Sequence, residues 1–344
     1  MTSRERIKMA MKMGIPDRVP VWCLLSLEHI INRGMKDSQS PRVIEELVEA
    51  ETRLTKEYNF DGCLIYLPGS RKDSNIEEFI QSSIKELPVG AKTNDFETAD
   101  PESWVAEIPK YEKEDFYSSH LAREIVGDDL HLGGWSGDGF SKAIQWFPTL
   151  EVAMMSLLID PFKFKKLIEY FDKLCIAWSQ AQVQLGNLES IQISSPYAGS
   201  NFISPEMYKE MVLPSVTKLS KSITEVGGIS YIHTCGSIGD RLELLAESGT
   251  HGIECMDPPP LGNVSLSEAK NRIGNKIFLK GNIDSVNILL QADDDTMKET
   301  VIETINSGKP NGSYILSTAC SVSPAVSKER VKALSIFADE FGVY

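Results

Sequence analysis

The chain has 344 residues, 42% of them hydrophobic, enough to bury a large core, and 35 basic against 49 acidic residues give a net charge of −14. So acidic a chain argues against nucleic-acid and anionic-membrane partners, which select clustered cations. No apolar run approaches the roughly 18 residues that span a bilayer, and the start Met1-Thr2-Ser3-Arg4 lacks the apolar core of a signal peptide, so a cytoplasmic location is expected.

In chain order, short apolar runs alternate with helical patterns. Val19–Leu25 reads as a first strand. Ser40–Tyr58 reads as a helix, with Ser40 as its cap and Pro41 in its first turn. Gly62–Leu67 is a second strand. The stretch Pro68–Asp129 is too long for one helix and implies an inserted helical cover. Leu130–Gly134 is a third strand, and the glycine-rich run Gly133 to Gly139 after it reads as a mobile loop that matches no phosphate-binding motif. Asp160–Leu185 and Ser204–Thr224 open with Asp-Pro and Ser-Pro helix starts, and Ser190–Ser195 between them is a fourth strand. Gly228–His233 is the fifth, followed by a helix Ile238–Glu247 that stops at Ser248-Gly249. Strands Gly252–Met256, Lys276–Gly281 and Ser313–Ser317 then alternate with helices Ser267–Arg272, Thr296–Asn306 and Ser327–Phe341.

Such alternation implies a parallel sheet. Eight strands predict an α/β fold of the (β/α)8 TIM barrel type, one domain over residues 1–344, with a helical insertion between strands 2 and 3. A doubly wound open sheet is the structural alternative. In a barrel the chemistry sits at the C-terminal ends of the strands.

Two of those ends carry soft metal donors. The fifth strand runs into His233-Thr234-Cys235-Gly236, and residues i and i+2 on an extended segment point the same way. The eighth strand delivers Cys320 across the barrel mouth. One imidazole and two thiolates suit zinc and leave its fourth position open. Taken alone, an HxC triplet is more often packing than a metal site, and it is the shared rim position that makes it a candidate. Glu254, on the sixth strand, is either a fourth ligand or a general base if it points inward. The same alternation would turn Cys255 outward beneath a helix. Asp257 reads as a turn cap, Cys23, Cys63 and Cys175 as core, and His29, His120 and His131 as core or surface residues. His251 is a weak candidate. In a reducing compartment all six cysteines are free thiols or ligands rather than disulfides.

At these residues the chain resembles the uroporphyrinogen decarboxylase superfamily. The shared features are Arg4-Glu5-Arg6 with Pro16-Asp17-Arg18-Val19-Pro20, Ser204-Pro205-Glu206 with Pro214, His233-Thr234-Cys235-Gly236, Ala246 to Gly249, Leu279 to Asp284, and Tyr314 to Ser317. Within the superfamily it is similar to the zinc-dependent corrinoid methyltransferases, the methylcobamide:coenzyme M methyltransferases among them. That resemblance implies zinc on His233, Cys235 and Cys320. It also implies methyl transfer between a corrinoid (methylcobalamin) on a partner protein and a small thiol or methylated substrate. No DxHxxG corrinoid-binding pattern occurs, so the corrinoid protein is expected to be a separate chain. A cofactor-free decarboxylase is the alternative, although Trp22 to His29 lacks the arginine pair that binds porphyrinogen propionates. A catalytically inert binding barrel is the third reading.

Overall fold

A computed structural model describes residues 1–35, 43–72, 74–76, 96 and 99–344. Seven parallel strands form one curled sheet in sequential order: β1 (Gly62–Leu64), β2 (His131–Gly137), β3 (Ser190–Ser194), β4 (Ile229–Thr234), β5 (Gly252–Cys255), β6 (Phe278–Ile283) and β7 (Tyr314–Thr318). Helices pack outside it, the longest being Pro161–Gln184, where Asp160 accepts the Lys163 N–H at 2.9 Å and Pro161 sits in the first turn.

The expected first strand is instead a run of single bridges. Val21 pairs with Leu316 and Leu25 with Val322. The segment nonetheless touches both sheet edges. Trp22 N–H donates to Leu316 O at 3.0 Å, and Asp61 N–H donates to Val21 O at 2.7 Å. A full ladder cannot form because Pro20 has no N–H and the Val21 N–H goes to the Asp61 carboxylate at 2.8 Å. The arrangement is consistent with a TIM-like barrel. Residues 77–95 and 97–98 of the expected inserted cover, and the expected cap Ser40 with Pro41, lie outside the described residues.

The glycine-rich run is not a loop. Gly133 to Gly137 belong to β2, which Asp138 links to a helix Gly139–Trp146 by accepting the Ser141 N–H at 2.6 Å. Glycine is needed here because a Cβ on Gly133 would lie 2.8 Å from the Trp22 ring. In the expected helix Ser204–Thr224, residues Tyr208–Val212 form a wide turn before helix Leu213–Glu225. Pro214 lacks an N–H and its ring crowds the carbonyl four residues back, which opens the turn.

Parallel register sets the inner face of the curled sheet in layers. Tyr231, Gly252 and Phe278 lie side by side on β4, β5 and β6, and His233, Glu254 and Lys280 form the next row. Below them, Trp22, Leu64, Ile229, Tyr231, Phe278 and Ile315 pack on Ile7, Ala10 and Met11 of the N-terminal helix Ser3–Met11, which plugs that end. The helix begins with a Thr2/Glu5 capping box.

Asp61 ties this end together. It is fully buried and pairs with Arg6 Nη1 at 2.6 Å and Arg18 Nη1 at 2.9 Å. Asp61→Ala leaves two guanidinium groups short of a partner and is expected to cost about 3–5 kcal/mol, read as a lower urea midpoint at unchanged slope. At the start of β2, burial pushes His131 down to about 4, against the raising influence of Glu189. The unfolded chain therefore takes up this proton first. The stability from neutral His131 is present above pH 6.5 and is lost as pH falls toward 4. Denaturation midpoints measured across that window should fall more steeply for the wild type than for His131→Gln.

Candidate metal centre

Two of the sequence-predicted ligands, His233 and Cys235, meet one unexpected residue, Cys255, where the strands end, and Cys320 lies at the same end. His233 is the fifth residue of β4 and is buried, and Cys235 follows the strand immediately. Cys235 Sγ lies 3.3 Å from His233 Nε2. Gly236 has φ +78, so the chain turns away directly after the thiol. Cys320, two residues past β7, is half-buried at the same end of the sheet, near enough to Cys235 and His233 to feel their charge.

The other face of His233 is held from behind. Its Nδ1 lies 3.2 Å from Glu254 Oε2, which also accepts a hydrogen bond from Gln192 Nε2 at 2.7 Å. Glu254 Oε1 is ion-paired with Lys280 Nζ, and that ammonium lies 4.4 Å from the centroid of the Trp22 ring. All of Glu254 and Lys280 is buried. Burial opposes ionisation of Glu254, but Lys280 and His233 outweigh it and hold the carboxyl at about 2. With Nδ1 committed to a carboxylate, Nε2 is the nitrogen left facing Cys235.

The expected outward position of Cys255 is corrected. The ligand atoms of His233, Cys235 and Cys255 all lie within 4.8 Å of one another. Strand alternation fails at this residue because Cys255 has φ +82 and Met256 φ +49, both left-handed. A left-handed residue re-aims its side chain, so Cys255 joins Glu254 on the inner side. Nothing in the local sequence signals this, since neither residue is a glycine or asparagine. Asp257 does accept a backbone N–H, but from Gly236 across the site, at 2.6 Å.

The remaining candidates fall outside the cluster. His29 bonds Tyr58 and Ser323 within the core, and His131 bonds Ser190 Oγ at 2.8 Å. His251 meets Ser230 at the start of its strand. His120 lies on helix Tyr117–Val126. Cys23, Cys63 and Cys175 are buried in the core.

The donor set fits a soft divalent cation. Burial disfavours a charged His233, yet Cys235, Cys320 and Glu254 raise its pKa well above the usual range, so a metal there must displace a proton from the imidazole. Contact with Cys235 pushes Cys320 up to about 12, so metal uptake must displace its proton and weakens as pH falls.

The family described as Uroporphyrinogen decarboxylase (URO-D) matches residues 115–341, and the chain belongs to it. It is similar to methylcobamide:CoM methyltransferase MtaA of Methanosarcina barkeri (strain Fusaro), 28% identical over 221 residues, which is 64% of this chain and 61% of MtaA. Uroporphyrinogen decarboxylase of Ruthia magnifica is 25% identical over 185 residues, covering 53% of this chain and 50% of that enzyme. The match thus spans about three-fifths of the length of MtaA. A methyltransferase from Methanosarcina mazei shares the fold, with a TM-score of 0.77 at 18% identity over 99% of both chains. No helix among the described residues is long and apolar enough to cross a membrane.

The buried pair gives a test of the support behind His233. Glu254→Gln strands the Lys280 ammonium in the barrel and is expected to cost roughly 3–5 kcal/mol of stability. The double variant Glu254→Gln/Lys280→Met should lose less than the single one in the same urea titration, because no unpaired charge remains.

Proposed function

We propose that this protein is a zinc-dependent methyltransferase that moves a methyl group between a corrinoid protein and a small thiol or methylated substrate. The observation that carries the reading is the gathering of His233, Cys235 and Cys320 at one end of the sheet, with Glu254 behind the imidazole. In this reading those three residues hold the metal. Bound zinc supplies Lewis acidity that lowers the pKa of a substrate thiol and keeps it nucleophilic at neutral pH.

The chain's own groups do the rest. Glu254 accepts from His233 Nδ1, fixing the tautomer and ring orientation so that Nε2 faces the metal. It acts here as a positioning residue rather than as a ligand or general base, because Lys280, Gln192 and His233 already occupy both its oxygens. Lys280 keeps that carboxylate ionised. Phe202, Leu261 and Val286, on the loops after β3, β5 and β6, are exposed apolar groups on the same side as the site. They support a reading in which a second protein, bringing its corrinoid, covers the opening.

The decarboxylase alternative needs cations free to clamp carboxylates. Lys280 is buried against Glu254. Arg241 is buried and donates to Ala198 O, Ile203 O and Asp240. Neither is available for a polyanionic substrate. The same reading takes residues 1–344 as one closed barrel, with Val19–Leu25 serving as its first strand, and the location as cytoplasmic.

Elemental analysis of the wild type and Cys320→Ser, both purified without added metal, tests the centre. About one zinc per chain is expected in the wild type, with most of it lost in the variant. A wild-type chain that stays metal-free after incubation with zinc sinks the proposal. A metal-loaded chain should then demethylate methylcobalamin with one of a panel of small thiols, followed by the loss of the methyl-cobalt absorbance.

A further inference from the structure

Cys255 has no part in the three-residue centre, yet its placement is costly and specific. It is fully buried, and its left-handed φ of +82 is followed by another at Met256. Such conformations are unfavourable in residues with a side chain, and persist only where their surroundings enforce them. The surroundings here do so. Asn282 Nδ2 donates to Met256 O at 2.8 Å. Gly281, itself at φ +147, packs against the Cys255 carbonyl so closely that a Cβ would meet that oxygen at 2.7 Å. A cysteine that merely filled space could stay in the strand and point outward. This one is turned inward until its sulfur, Cys235 Sγ and a His233 ring nitrogen share a 4.8 Å cluster.

We propose that Cys255 is a further ligand of the metal centre, completing a four-donor set with His233, Cys235 and Cys320 that a substrate thiol opens by displacing it. The inference rests on the metal-centre reading above and extends it. Bonds of about 2.3 Å to sulfur and 2.0 Å to nitrogen set the donors of a tetrahedral zinc site roughly 3.5–3.8 Å apart. The 3.3 Å between His233 Nε2 and Cys235 Sγ and the 4.8 Å limit on the three-residue group bracket that spacing. The proton has a route. Cys255 S–H donates to Asp257 Oδ2 at 3.4 Å, so ligation transfers that proton to the carboxylate and on to water. When a substrate thiol enters, its own proton leaves by the same group and Cys255 is reprotonated. The metal therefore keeps four donors at rest and accepts a thiol by exchange of one sulfur for another, with no change in net charge.

The test loads the full chain with cobalt(II) chloride and reads the sulfur-to-cobalt charge-transfer band. At equal cobalt per chain, Cys255→Ser should lower the band by about one third, as three thiolates become two, and Cys320→Ser should lower it by a similar amount. An unchanged band in Cys255→Ser, with cobalt bound, overturns this inference and leaves the three-residue centre standing. A wild-type chain that binds no cobalt and no zinc overturns both. X-ray absorption at the zinc edge of the wild type needs no variant: three sulfurs and one nitrogen are expected, and two sulfurs refute the role of Cys255.

Discussion

The row His233–Glu254–Lys280 is the constraint on which the centre of this protein depends. Parallel register puts the three residues side by side on β4, β5 and β6. Two of them are a buried ion pair, which in isolation does little for stability because desolvation offsets attraction. Here the pair has a second use. The ammonium keeps the carboxylate charged, the carboxylate takes Nδ1, and Nε2 is turned toward Cys235. The aromatic layer beneath, Trp22 and Tyr231, places ring faces under Lys280 and leaves its charge directed upward to Glu254.

That layer exists because small residues make room for it. Gly133 and Gly62 lie against the Trp22 ring, and Gly252 lies under Phe278, where a Cβ would approach the ring to 2.4 Å. Side-chain volume is thus supplied by a few large aromatics rather than by every strand. The N-terminal helix closes the floor, and Asp61 with Arg6 and Arg18 locks the segment carrying Trp22 to the sheet edge. The polar row is therefore supported from below by a packed apolar base, and Cys235 and Cys320 lie half-buried at the strand ends.

Much of this was legible in the chain itself. Seven of the eight expected strands are present because continuous β-branched runs between helical patterns are what a sheet buried on both faces requires. The first, Val19–Leu25, is no regular strand for a local reason, the missing N–H of Pro20 and the diversion of the Val21 N–H to Asp61. The glycine-rich run misled because glycine density reads as looseness, whereas Gly133 is there to fit beneath Trp22. Helices Gly139–Trp146 and Leu150–Ile159 went unread, although Asp138 and Thr149 stand at their starts as capping residues.

For the site, the chain alone reveals which candidate donor side chains exist and at which strand ends they stand. His233 and Cys235 share a side of one extended segment through the two-residue period of a strand, and Cys320 ends another strand of the same parallel sheet. Which further groups face them depends on how the strands pair and pack. Glu254 contacts His233 with Lys280 in register beside it, and register is a property of paired strands. Cys255 turns inward because Asn282 and Gly281, on the neighbouring strand, hold its backbone in a left-handed conformation that its own side chain would not choose. Period-two alternation is set by one segment alone, and a departure from it can only be imposed by the segments packed against it.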